Sequence, residues 1–176
     1  MSDYDWTKRF LELHQEASER YQDGAKTPSS VLTGEEIEWL AEIGCTAQEF
    51  FDFIEDFCRG EEPDAGTALL VAAKRRDYFL TVQKGRPELE LSSSSLPPKT
   101  EEVKGIPWLP RLIEKAKRKL RGQMDNDLMY GCGGDRNFFQ KYEMHPADFL
   151  KLVEDSKGKD AEVVAFIVKR GKDLNL

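Results

Sequence analysis

The sequence is short of the residues and patterns that most often announce chemistry. Three cysteines (Cys45, Cys58, Cys132) and two histidines (His14, His145) are spread over 176 residues. The cysteines are odd in number and none has Cys-x-x-Cys spacing, which argues against a disulfide framework and against a zinc ribbon. A reducing cytoplasm is the compartment that fits. No run approaches the ~20 apolar residues a membrane span needs, and the opening "MSDYDW" is acidic where a secretory leader would be basic and then apolar. The Gly-x-x-x-x-Gly-Lys-Ser/Thr spacing of a P-loop is missing. Cys132, Asp135 and His145 have no recognised ligand spacing, so neither a metal nor a cofactor is expected.

What the chain does have is apolar bulk and charge. Hydrophobic residues make up 39%, with ten Phe and three Trp, enough to fill a core. The net charge of −7 is unevenly spread: residues 1–85 hold 9 basic and 18 acidic side chains, and residues 107–176 hold 14 and 11. This asymmetry leaves the second half suited to an anionic partner.

Apolar residues recur at helical spacing: Phe10, Leu11, Leu13 and Ala17; Ile37, Leu40 and Ala41; Phe50, Phe53, Ile54 and Phe57; Leu69, Leu70, Ala73 and Phe79. No comparable run alternates with a two-residue period, so the expected class is all-α. "RPELELSSSSLPPKTEEVKG" (Arg86 to Gly105), with four serines and three prolines, reads as a linker packed at most along the surface. Three segments follow: an acidic helical module over 1–85, a linker over 86–106 and a basic helical module over 107–176.

The two modules look alike. "EWLAEIGCTAQEFFDFIED" (Glu38 to Asp56) aligns without a gap on "NFFQKYEMHPADFLKLVED" (Asn137 to Asp155), pairing Phe50 with Phe149 and Ile54 with Val153. An internal duplication is the reading, with about four helices per copy. Two such copies are expected to face one another about a pseudo-twofold axis, with their seam as a cleft.

The same register explains most of "MYGCGGDRNFF" (Met129 to Phe139). Thr33-Gly-Glu-Glu36 and Thr46-Ala-Gln-Glu49 are capping boxes, and their counterparts start at Cys132 and His145. Neither replacement is a preferred cap. Cys132 and His145 do not form a nucleophilic pair: roughly ten helical residues at 1.5 Å rise put them about 15 Å apart, against a reach of about 3 Å. Cys132 alone stays open to two readings, a small buried hydrophobe or a reactive thiol at the positive end of a helix. His14, near Leu11 and Leu13, is read as a surface or half-buried residue, not a ligand.

"WLPRLIEKAKRKLRGQM" (Trp108 to Met124) is the most charged helix, with Leu109, Leu112, Ile113, Ala116 and Leu120 as its apolar stripe. Arg111, Lys115, Lys117, Arg118, Lys119 and Arg121 cover the rest, either as a solvated face or as an anion-binding surface. No aromatic interleaves them, which weakens single-strand binding.

Pro110-Arg-Leu-Ile-Glu-Lys-Ala-Lys-Arg-Lys-Leu-Arg-Gly122, followed by Tyr130, Cys132, Asp135, Arg136 and Phe138, resembles a bacterial family described as a domain of unknown function, DUF5069. The resemblance covers roughly residues 105–170, and longer members are similar in the first half, including "RRDYFLTVQKG" (Arg75 to Gly85). Family members have Asp where this chain has Glu114, and often Pro-Leu where it has Gly133-Gly134, a change expected to loosen the helix start. The resemblance implies no activity. It implies that the basic helix and the Cys-x-x-Asp-Arg helix start form one unit, in which Arg111 and Lys115 pair with Asp135 or gather with Cys132, Asp135 and Arg136 around a ligand.

The leading functional reading is a cytoplasmic binding or interaction protein with a cleft between its two modules, taking a protein or an anionic small molecule, with the second half supplying the contact surface and catalysis left open. A thiol-dependent enzyme or redox sensor using Cys132 is the first alternative. Nucleic-acid binding through residues 111–121 is the second, and no membrane partner is expected.

Overall fold

The computed structural model describes residues 3–176. Helices dominate, as expected, and the chain divides into two compact units between Arg86 and Pro87. Among the described residues no helix is long and apolar enough to cross a membrane.

The first unit contains α1 (Trp6–Gln22), the single turn α2 (Pro28–Val31), α3 (Gly34–Glu42), α4 (Ala47–Gly60) and α5 (Ala65–Thr81). Phe10, Leu13, Ala17 and Tyr21 fall on one face of α1 and meet Phe50, Phe53 and Ile54 of α4 in the core. Both capping boxes form: Glu36 N donates to Thr33 Oγ1 at 3.3 Å and Glu49 N to Thr46 Oγ1 at 3.1 Å. Gly44, between α3 and α4, has φ +75, and a Cβ there would sit within 2.9 Å of three Phe79 carbons, so the turn lies directly on α5.

Two expectations fail in this unit. His14 is 3% exposed, edge-on to Phe57 with ring centroids 5.1 Å apart, because position 14 falls on the buried face of α1 between Phe10 and Ala17. Burial holds its imidazole pKa below the ordinary value, partly opposed by the charge of Asp64. On α5 the core takes Ala68, Val71, Ala72, Arg75 and Phe79, and leaves Leu70 exposed. "ALLVAA" is apolar on every side, so spacing alone does not fix which face turns inward.

The second unit opens with the segment expected to be a linker. Instead it is tied to α6 (Leu109–Arg121) and to the loop after it. Arg118 Nη1 donates to Ser92 O at 2.9 Å and its Nη2 to Ser95 Oγ at 2.9 Å, while Ser93 N donates to Asp125 Oδ2 at 2.5 Å. Leu96 is buried, and a small hairpin follows, β1 (Glu102–Val103) with β2 (Ile106–Pro107). Its turn residues Lys104 (φ 55) and Gly105 (φ 73) are both left-handed, the combination a tight two-residue hairpin uses. Composition hides this order because it rests on backbone carbonyls and amides, not on apolar bulk.

After α6 come α7 (Gly133–Lys141), α8 (Pro146–Asp155) and α9 (Asp160–Asp173). Leu109, Leu112 and Ala116 of α6 face Phe149 and Leu150 of α8, and Phe138 stacks on Tyr142 with centroids 4.6 Å apart. The helix bounds keep the register of the ungapped alignment between the two segments. Both α3 and α7 have 9 residues, capped by Thr33 and Cys132, and α4 and α8 are capped by Thr46 and His145. His145 retains the capping role, its Nδ1 accepting from Ala147 N at 3.1 Å, whereas the Cys132 side chain makes no cap bond.

Candidate functional site

Asp135 lies at the start of α7 with no exposure to solvent, and Lys115 from the middle of α6 reaches it with 2% exposure. The Lys115 ammonium donates to Asp135 Oδ2. Gly131 N donates to the same oxygen at 2.9 Å, and the Trp108 indole Nε1 donates to Oδ1 at 2.9 Å. A buried carboxylate is tolerated only when charge and donors replace its water, and here both do.

Trp108 is placed by a strained backbone. It is the N-cap of α6 with φ 70, uncommon for a bulky residue, and Pro110 follows in the first turn of the helix. The indole then covers the first turn of α7: a Cβ on Gly134 would come within 2.7 Å of Trp108 Cη2 and closer still to Cζ2. The double glycine therefore does not loosen the helix start as expected. Gly134 makes room for the tryptophan that binds Asp135.

Cys132 stands beside this group. Lys115 Nζ lies 3.3 Å from its sulfur, and the thiol is half-exposed. Arg136 turns back to donate to Gly131 O at 2.8 Å, which fixes the loop from which Gly131 N bonds Asp135. Below it Tyr130 is buried and donates to Pro146 O at 2.8 Å. Burial first, and then the charge of Asp135, push its phenol well above its ordinary pKa. The nine residues of α7 separate Cys132 from His145 by about 14 Å at 1.5 Å per residue, so they stay apart.

The structure thus brings Lys115, Cys132, Asp135 and Arg136 together and leaves Arg111 out. Arg111 Nη1 instead donates to Pro97 O at 2.8 Å. The basic helix is neither the solvated face nor the open anion-binding surface expected of residues 111–121. Lys115, Arg118 and Lys119 are each 2% exposed, and Lys117 pairs with Asp160 at 2.7 Å. Lys115 is turned to Asp135, and Arg118 to Glu114 and the carbonyls of Leu91 and Ser92, so these two charges are committed inside the unit and do not form an open phosphate-facing row. Among the described residues no group of three His, Cys, Asp or Glu side chains is placed to hold a metal.

The first unit carries a parallel arrangement. Glu36, at the third position of α3, is also buried; Arg20 Nη1 donates to it at 2.7 Å and Thr33 N at 2.8 Å. Burial raises its pKa, but the bonds from Arg20 and Thr33 outweigh that and hold the carboxyl below its ordinary value. A buried acid at a helix start, tied to a base from the preceding long helix, is thus a structural device used in both units.

A second feature escaped the sequence reading. Between the β1 turn and α9 runs an open groove of about 790 Å³ lined by Val103, Ala161, Val164, Ala165 and Val168. Val163, Ile167 and Gly171 of the same helix face the core, so the apolar arc of α9 continues past its buried side. Lys104 stands on the hairpin wall, Lys169 and Lys172 on the helix wall, and no described residue pairs with any of the three. The signal was present in "AEVVAFIVKR" as two adjacent apolar stripes, but one stripe suffices to predict a helix.

Residues 95–175 match the model of a family described as a domain of unknown function (DUF5069). The match bears out the resemblance seen in the sequence and extends it at both ends, taking in Leu96, the hairpin and all of α9. No curated protein and no solved structure matches the chain.

Proposed function

We propose that the second unit is a binding module whose contact surface is the groove between the hairpin and α9. One observation carries this reading: a partly exposed apolar arc on a helix whose adjacent face is already buried, bordered by three lysines without partners among the described residues. Exposed apolar surface rimmed by polar groups marks interaction sites. Photo-crosslinking tests it. A benzophenone amino acid at Ala165 is expected to capture a discrete partner in extracts of the cells that make the protein, and Val164→Asp to abolish capture. The same probe at exposed Glu12 should capture nothing comparable. Equal capture from both positions would sink the reading.

The contact between Lys115 Nζ and Cys132 Sγ favours a second reading, a thiol-dependent enzyme or redox sensor. It requires Cys132 to alkylate faster than Cys58, which is also half-exposed, and to lose that advantage in Lys115→Met. The coincident caps and the paired buried acids, Glu36 and Asp135, support an origin of the two units by duplication.

A further inference from the structure

We infer that the occupant of the α9 groove is an amphipathic helix of a partner protein whose apolar stripe is flanked by acidic residues; this rests on the groove being the contact surface. Ala161, Val164, Ala165 and Val168 recur at i, i+3, i+4 and i+7, a straight ridge about 10 Å long at 1.5 Å per residue. Alanine and valine are short, so a second helix can approach to the 8–10 Å between axes at which helices pack. The opposite wall is fixed by the paired residues Val103 and Ile106 and by the tight turn at Lys104 and Gly105. A groove open along its length, with Val103 and Lys104 on one wall and the apolar ridge of α9 on the other, suits a helix laid along that ridge.

The chemistry of the lining argues against a small polar ligand. Such sites need a few convergent polar groups to orient the molecule. The one acidic side chain lining the groove, Asp160, is already bound by Lys117 at 2.7 Å. The charge that remains is positive and sits on both walls: Lys104 on one, Lys169 and Lys172 on the other. Acidic side chains on both edges of the partner's apolar stripe would meet them, whereas a basic helix would be repelled.

Three synthetic helical peptides test the inference by fluorescence anisotropy against the full chain. The first has leucines at i, i+3, i+4 and i+7 flanked by Glu, the second has the same leucines flanked by Lys, and the third keeps Glu but replaces leucine by Ser. The Glu-leucine peptide is expected to bind at least about tenfold tighter than the Lys peptide at low salt, with the preference shrinking as salt is raised. The serine peptide should not bind. The triple charge reversal K104E/K169E/K172E touches no core residue and should invert the preference, with its helical circular dichroism unchanged.

Equal binding of both leucine peptides would overturn the acidic partner while leaving the groove as a contact surface. Binding of none, alongside crosslinking at Ala165, would overturn the helical partner. Failure of both experiments would remove the groove itself. A chain that sediments as a dimer, excludes the peptides and dissociates in Val164→Asp would show that the occupant is a second copy. Binding to anionic phosphatidylglycerol vesicles in place of peptide would show a lipid surface instead; either result overturns the inference.

Discussion

At Asp135 three donors converge on one carboxylate sealed from water, and removing the acid alone differs from removing the ion pair. Asp135→Asn keeps the side-chain shape but strands the Lys115 ammonium in the core, with an expected loss of about 3–5 kcal/mol. Adding Lys115→Met to this change should recover part of the loss, since the uncompensated charge is then gone. Urea denaturation followed by circular dichroism measures both; an Asp135→Asn chain as stable as the parent would mean the pair is not buried as described. His14 gives the first unit a dependence on pH. Its folded-state pKa lies below the 6.5 of a free imidazole, so below that pH the unfolded chain binds more protons than the folded one. Stability from this source is complete above 6.5 and is lost as pH falls through that value toward the lowered one. His14→Leu is expected to narrow the drop in urea midpoint between about pH 7.5 and about pH 5.5. An unchanged drop would remove His14 as its source.

Among the helices, the starts of α3 and α7 solve one problem in two ways. In α3 the Thr33 hydroxyl and the Glu36 carboxylate satisfy each other's amides. In α7 the carboxylate of Asp135 passes over the N-cap amide to reach Gly131 N, and Cys132 contributes no cap bond. Thr33→Ala should therefore cost about 1 kcal/mol, whereas Cys132→Ala removes no cap bond, only the contact with Lys115, and should cost less. Comparable losses in thermal unfolding would show that the thiol does more for the helix than its geometry indicates. This contrast also bears on Cys132 as a reactive residue, since a side chain free of capping duty is free to react.

For the molecule as a whole, the placement of residues 87–106 decides where the chain can be cut without unfolding the second unit. Arg111, Arg118 and Asp125 are bonded to that segment, and Leu91 bridges to Met124. A fragment spanning 87–176 is expected to fold with a cooperative urea transition. One spanning 107–176 should lose that cooperativity, because it uncovers Leu96's neighbours and leaves two arginines without their carbonyl partners. Equal behaviour of the two fragments in circular dichroism melts would restore the segment to a linker.

Local chemistry by itself determined the helical class, the capping boxes at Thr33 and Thr46, and the register that sets Cys132 and His145 at helix starts. These follow from residue spacing of three or four and from caps, which act within one turn. Tertiary structure alone decided which face of α5 turns inward, that Arg111 bonds Pro97 and not Asp135, that Trp108 reaches across to Asp135 over Gly134, and that the serine-rich segment is held against α6. It also decided that α9 keeps half of its apolar arc uncovered. Each of these depends on what lies opposite a side chain from a distant part of the chain, and spacing along one helix carries no record of that neighbour.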